Sequence, residues 1–167
     1  MPQAIKHISC YHCVMANAYT QIGIHIVTAV KGRRCLIHPG MRPRLECEMR
    51  RVLQQRRHFA LRVHMQPDHV HAFVSMCPDD SVSNMVGAWK SQVSGFIQRE
   101  LVPEFSWQRG YGAFAVGKAG WPTVKAYIDR QDEHHITTTF RQEYIRLLEK
   151  HQVEYDERYL FEEIFVG

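Results

Sequence analysis

Two histidines separated by one residue, His69 and His71, stand in the run HVHAFVS, whose intervening positions are Val70, Ala72 and Val74. Alternate side chains of an extended chain share a face. The run therefore sets both imidazoles, with Phe73 and Ser75, opposite an aliphatic face that continues to Met76. Two imidazoles side by side on a strand can grip a divalent metal ion. The bland alternative is structural, since the chain has 11 histidines. A second pair lies downstream. Tyr127 and Gln131 are four residues apart, so on a helix they occupy one face, one turn above the other. A core tyrosine is the ordinary reading of Tyr127, but a buried amide such as Gln131 needs partners to offset its desolvation. The two imidazoles and the amide oxygen would together hold a hard or borderline ion, Mg²⁺ or Mn²⁺. That ion would polarise a phosphate oxygen while the phenol attacks phosphorus. With a pKa of about 10, a phenol leaves more readily than an alkoxide. A phosphotyrosine link could therefore be resolved by a DNA 3′-hydroxyl.

The elements that must carry these groups can be read from periodicity. Tyr19 to Val30 alternates Ile22, Ile24 and Ile26 against Gln21, Gly23 and His25, a first strand. Phe59, Leu61, Val63 and Met65 alternate in the same way. With Gln66-Pro67-Asp68 as the turn, they form a hairpin with the histidine strand. Pro43 opens a helix to about Arg57 with Leu45, Met49, Val52 and Leu53 as its buried stripe. Asp80 or Ser81 caps the next helix, whose broad apolar face runs from Val82 through Trp89 to Ile97. The aromatic, glycine-punctuated stretch from Phe105 to Val116 reads as a bent or bulged strand. A helix with Pro122 at its first position should run unbroken through Gln131 to about His135. Thr139 and Gln142 form a capping box for a last helix with the stripe Tyr144, Leu147, Leu148 and His151. Beyond it, Tyr155 to Phe165 is an acidic, aromatic tail that must dock. Strands mix with segregated helices, so the fold class is α+β with a mainly antiparallel sheet and helices packed on it.

At 167 residues the chain is long enough for a core without staples. Residues 1–17 lack a period and read as an N-terminal leader, mobile, with Met15 as an alternative start; residues 18–167 read as a single domain. No apolar run approaches a membrane span and no signal peptide is evident, so cytoplasmic residence is the default. Five dispersed cysteines argue against a disulfide framework. Cys10-Tyr-His-Cys13 is half a zinc site without a second half. The net charge of +4 is unevenly spread. From Lys31 to Arg62, ten basic residues face two acidic ones, and from Asp132 to Glu163 nine acids face four bases. A basic half is the footprint of a phosphate-backbone binder, or else a salt-laced helix face. Arg33 and Arg34 in a basic turn, Lys90 on the second helix and Arg109 are the candidate DNA contacts.

Pro-Asp-His-Val-His, followed about fifty residues later by Tyr-x-x-x-Gln on an expected helix, resembles the HUH-type single-tyrosine transposases of small insertion sequences and their REP-associated relatives. The likeness extends over YTQIGIHIVTAVKGR, WQRGYGAF, VKAYIDRQDEHH and TFRQEYIRLLEKHQVEYDERYLF. It implies a ferredoxin-like, RRM-like HUH nuclease fold. Tyr127 would be the nucleophile, with His69, His71 and Gln131 as metal ligands and Mg²⁺ or Mn²⁺ as the ion. Such enzymes cut and rejoin single-stranded DNA near hairpins through a 5′-phosphotyrosine. They are commonly homodimers, in some of which one subunit's tyrosine serves the other's histidines. The chain departs from the pattern at Gln66, Ala72 and the Ala115–Gly120 loop. The role of His134 and His135 is unassigned, with helix-end packing or dipole compensation expected. Two other readings compete: a catalytically silent, domesticated binder of DNA hairpins, and a metal-dependent phosphodiesterase that activates water, with Tyr127 structural.

Overall fold

The computed structural model describes residues 19–160. The expected leader, the Cys10/Cys13 pair and the end of the aromatic tail lie outside the described residues. Four strands, β1 (Gly23–Ala29), β2 (Phe59–Met65), β3 (His69–Ser75) and β4 (Gly112–Val116), form one antiparallel sheet in the order β2-β3-β1-β4. The helices are α1 (Arg42–Gln55), α2 (Val82–Glu100), α3 (Trp121–Asp129), α4 (Gln131–His134), α5 (Phe140–Lys150) and α6 (Glu157–Leu160). The α+β class expected from sequence is what the chain adopts.

The sheet separates two layers. On one face, Ile24 and Ile26 of β1 and Val70, Ala72 and Val74 of β3 pack under the apolar stripes of α1 and α2. Full burial of each valine, isoleucine, leucine or methionine here is worth about 1.5–3 kcal/mol, and this layer holds most of the buried apolar side chains. The opposite face carries His25, Val27 and Ala29 of β1 and His69, His71 and Phe73 of β3. It is covered by α3 and α5 through Trp121, Ile128, Phe140, Leu147 and Leu148. A charged or polar group on this second face is as buried as the core, since all seven residues of β1 and all seven of β3 are buried.

Two expectations change in detail. The alternation read along β2 is interrupted by a register shift between Ala60 and Arg62. The bulge turns Leu61 onto the second face beside Phe73 and Ile128, while Ala60, Val63 and Met65 stay with the first core. The helix expected to continue from Pro122 to His135 breaks at Arg130, whose φ and ψ are −102° and 19°. The break separates α3 from α4 and divides Tyr127 from Gln131. The capping box at Thr139 forms as read: Thr139 accepts from the Gln142 N–H, and Gln142 accepts from the Thr139 N–H.

Gly23 fixes where α3 begins. A Cβ at that position would lie 2.6 Å from Trp121 Nε1, so only glycine lets the indole lie across the end of β1. The indole N–H then donates to Val116 O at 3.1 Å. The contact pins the start of α3 to the sheet one and a half turns before Tyr127.

Candidate active site

β3 delivers His69 and His71 onto the second face, with exposures of 1% and 0%. Both imidazoles thus point into a buried layer, but not into an apolar one. His69 Nδ1 lies 2.7 Å from Asp68 Oδ1, so this nitrogen carries the proton and Nε2 presents its lone pair inward. His71 Nδ1 lies 3.1 Å from Nε2 of His25, which β1 places on the same face, diagonally across from it and opposite Phe73. His135, from the turn after α4, has Nδ1 2.9 Å from Thr138 O. A carbonyl can only accept, so the His135 Nε2 lone pair also turns inward. His69 Nε2 and His135 Nε2 are 3.0 Å apart.

Glu143 faces these rings from α5. It sits on the buried side of that helix with Phe140 and Leu147, at 1% exposure. Its Oε2 is 3.0 Å from His135 Nε2, 3.3 Å from His71 Nε2 and 3.7 Å from His69 Nε2. Its Oε1 accepts from Gln131 Nε2 at 2.8 Å and from the Tyr127 phenol. One carboxylate thus bridges the imidazole cluster to the phenol and the amide. His69, His71, His135 and Glu143 offer ligand atoms that all lie within 4.8 Å of one another.

The electrostatics follow from this crowding. Burial alone would raise the Glu143 pKa, but the imidazoles of His135 and His71 crowded against it and the hydrogen bond from the Tyr127 phenol outweigh it, so the carboxyl is held ionised. Burial lowers His69 to about 4 against the opposing pull of Asp68. Burial, then His71, holds His25 well below its ordinary value. Burial acts on His135 in the same sense, yet the ionised Glu143 beside it leaves that imidazole raised. The Tyr127 phenol is pushed up, by burial first and then by the neighbouring Glu143 charge.

Four buried polar atoms here have no hydrogen-bond partner: His71 Nε2, Gln131 Oε1, His134 Nε2 and Glu143 Oε2. Orphaned buried polar atoms are rare and costly in folded proteins. Two imidazole lone pairs and a carboxylate oxygen converging in one place repel unless a cation lies among them. The donor set, three imidazoles and a carboxylate with its outer nitrogens held by Asp68, His25 and Thr138, fits a divalent ion. Concave openings flank the cluster. One, of 260 Å³, is lined by Tyr127, Arg130, Glu133 and His134, and the other, of 370 Å³, by residues that include Arg33, Asp68, His69, His135 and Phe140.

The structure brings Tyr127, Gln131, His69 and His71 of one chain together, despite the break at Arg130. The ring centroids of Tyr127 and His71 are 6.0 Å apart. His135 departs from the helix-end role expected for it and joins the cluster. Glu143 was not singled out from the sequence, although a signal was present: a charged residue in a stripe otherwise filled by Phe140, Tyr144 and Leu147. Gln66, one of the departures from the family pattern, ties down the start of α4 by donating to Asp132 at 3.0 Å.

The basic half reads differently in three dimensions. All nine arginines between residues 31 and 62 lie within ion-pair distance of a carboxylate. Among the candidate DNA contacts, Arg33 pairs with Asp68 at 3.4 Å and Arg34 with Glu104 at 3.6 Å. The Lys90 ammonium donates to the carbonyls of Gln108 and Gly110 at 2.6 and 2.7 Å, a structural use. Arg109 is exposed and has no acidic partner among the described residues. Among the described residues no helix is long and apolar enough to cross a membrane.

A family model described as "Transposase IS200 like" matches residues 18–131. No curated protein matches the chain. Among solved structures, a candidate transposase from Deinococcus radiodurans R1 superposes with a TM-score of 0.58 at 17% identity, over 71% of this chain and 96% of that one. A REP-associated tyrosine transposase bound to a REP hairpin gives 0.57 at 16% identity, over 74% of each chain. At such identities the two structures speak to the fold.

Proposed function

Because the chain belongs to the IS200-like transposase family, we propose that it cuts and rejoins single-stranded DNA near hairpins through a 5′-phosphotyrosine on Tyr127. The observation that carries this reading is the Glu143 carboxylate, which joins the phenol of Tyr127 to the imidazoles of His69, His71 and His135. The half-buried phenol, its pKa raised, is protonated at neutral pH and must lose its proton to attack phosphorus. Glu143 Oε1, ionised and in contact with that phenol, is placed to take it. The Tyr127 oxygen–phosphorus bond forms, the bond to the 3′-oxygen breaks, and that oxygen leaves as a hydroxyl after gaining a proton. Rejoining reverses these steps with another 3′-hydroxyl.

In this proposal His69, His71, His135 and Glu143 hold a divalent ion, with the unpartnered Gln131 Oε1 as a further ligand. The ion supplies Lewis-acid polarisation of a phosphate oxygen. Of the two ions expected from the sequence, Mn²⁺ suits a nitrogen-rich set better than Mg²⁺, which prefers oxygen. All these residues come from one chain, which supports assembly of the site in cis; a homodimer is proposed by resemblance only, and light scattering tests it.

The experiment is to incubate the protein with a hairpin-bearing single-stranded oligonucleotide and Mn²⁺, then separate the products on a denaturing gel. A protein–DNA adduct is expected, lost in Tyr127→Phe while hairpin binding is retained. Hairpin binding with no cleavage under any divalent ion would select the silent binder. A free 5′-phosphate without adduct would select the water-activating phosphodiesterase. An adduct that persists in Tyr127→Phe would move the nucleophile elsewhere.

A further inference from the structure

Beyond the imidazole cluster lies a cavity that the chemistry above does not use. It has a volume of 190 Å³ and is lined by Gln108, Arg109, Tyr111, Phe140, Tyr144 and Tyr159, among others. This is below the roughly 300–1,000 Å³ of pockets for drug-sized ligands, so it suits one small ring system. We propose that it receives a single unpaired base of the DNA strand, one that bears an exocyclic amine. The proposal rests on the transposase reading of the chain.

Three features of the cavity point that way. Its walls are aromatic, and every base has a π face on which such rings stack. Phe140, buried, and Tyr144, half-buried, form the inner side, while Tyr111 and Tyr159 are exposed at 37% and 80%. Next, Gln108 is only 8% exposed and incompletely satisfied. Its Nε2 donates to Leu160 O at 2.8 Å, another lining residue, which leaves Oε1 buried with no partner. A buried acceptor of this kind is costly until a donor arrives. The amino groups of adenine, cytosine and guanine supply one. The N3–H of thymine lies between two carbonyls, which would crowd the Gln108 and Leu160 oxygens. Finally, Arg109 follows in the chain, exposed and without an acidic partner among the described residues, where it can meet a phosphate.

The surroundings make the cavity a fixed feature. Gln108 N–H bonds to Ala29 O at 2.9 Å, which registers the segment on β1. Lys90 holds the carbonyls of Gln108 and Gly110 from the other layer, and Gly110 supplies the left-handed turn with a φ of 72°. The cavity also shares a wall with the candidate active site. The Phe140 ring stacks on His69 with centroids 4.1 Å apart and planes 18° from parallel. A base seated here would stand one aromatic ring away from His69, which would set the register of the strand relative to Tyr127.

The test uses the full chain with Tyr127→Phe, so that no strand is cut. Binding is measured by fluorescence anisotropy with an all-thymidine strand and with strands carrying one internal dA, dC, dG or abasic site. One amino-bearing strand should bind on the order of tenfold more tightly than the all-thymidine strand, and the abasic strand should show no gain. Gln108→Leu should erase the preference. Tyr111→Ala, at a half-exposed ring that costs the fold little, should weaken the preferred strand about tenfold and the abasic strand much less. If Gln108→Leu does not fold, Tyr111→Ala decides the matter. Equal binding of all strands, a preference that survives Gln108→Leu, or an unchanged preference in Tyr111→Ala overturns the base pocket. Binding without base preference leaves the transposase reading intact, whereas no binding to any strand overturns both.

Discussion

His58 and the His69–His71–His135 cluster, in which only His135 is half-buried, both lie in the interior next to carboxylates, and they are opposite in character. His58 is 0% exposed and complete. Its Nδ1 accepts from the Cys77 N–H at 3.0 Å and its Nε2 donates to Asp80 Oδ2 at 3.0 Å. Asp80 is in turn held by Arg56 at 2.7 Å and by the Ser81 N–H at 2.9 Å, so no demand in the group is left open. Around Glu143 the same residue types leave buried polar atoms orphaned and lone pairs directed at one another. Burial of histidine therefore does not separate structure from function in this protein; whether the hydrogen-bond inventory closes does.

The largest effect expected from breaking this contrast is at Glu143. Glu143→Ala removes the bridge between the phenol and the imidazoles, so adduct formation in Mn²⁺ should fall by on the order of 100-fold or more. Mn²⁺ binding, followed by calorimetry, should weaken with it. The melting temperature without metal should change little, because the orphaned atoms gain room for water.

Asp80→Ala should do the reverse. It strips His58, Arg56 and Ser81 of a shared charged acceptor, a cost of about 2–3 kcal/mol. The melting temperature should drop by about 5–10 °C, with adduct formation at 25 °C unchanged. Asp68→Asn should lie between the two. Asp68 orients His69 without itself facing the cluster centre, and loss of such a partner typically costs about 10–100-fold in metal affinity. A metal affinity unchanged in Asp68→Asn would mean that His69 is not a ligand.

The two regions were not equally legible in the sequence. His69 and His71 could be found because strand periodicity assigns faces from the chain alone, and the cap at Thr139 because its partners lie three residues apart. The layers followed from the stripes of α1 and α2. Glu143 could not be placed because its partners lie on β3 and beyond α4, and only the packing of α5 on the sheet brings them together. His135 was misread as a helix end because no local pattern marks the break at Arg130, which turns it inward. The basic half misled for a related reason. Arginines cluster along the sequence, but the acids that meet many of them, such as Asp79, Asp80, Asp129 and Asp132, come from distant segments.

The smallest effect concerns pH. Burial lowers the His58 pKa more than its bond to Asp80 raises it. As pH falls from 7 to 5, the unfolded chain, with a histidine pKa of about 6.5, takes up a proton before the folded one does. The unfolded state then binds more protons, and stability declines with falling pH. Asp80 is also lowered, since bonds from Arg56 and His58 outweigh its burial, but its share is lost only below a pH of about 4. His25, His64, His69, His134 and His151 are shifted in the same direction as His58. The informative quantity is therefore the difference between the wild type and His58→Gln, whose amide can make both bonds without titrating. That difference in melting temperature should shrink steadily from pH 7 to pH 5 and should be the same with and without Mn²⁺. The slope that remains in His58→Gln should steepen when Mn²⁺ is added, because protons must then displace an ion from the imidazoles. A residual slope indifferent to Mn²⁺ would put the cluster in the same structural class as His58.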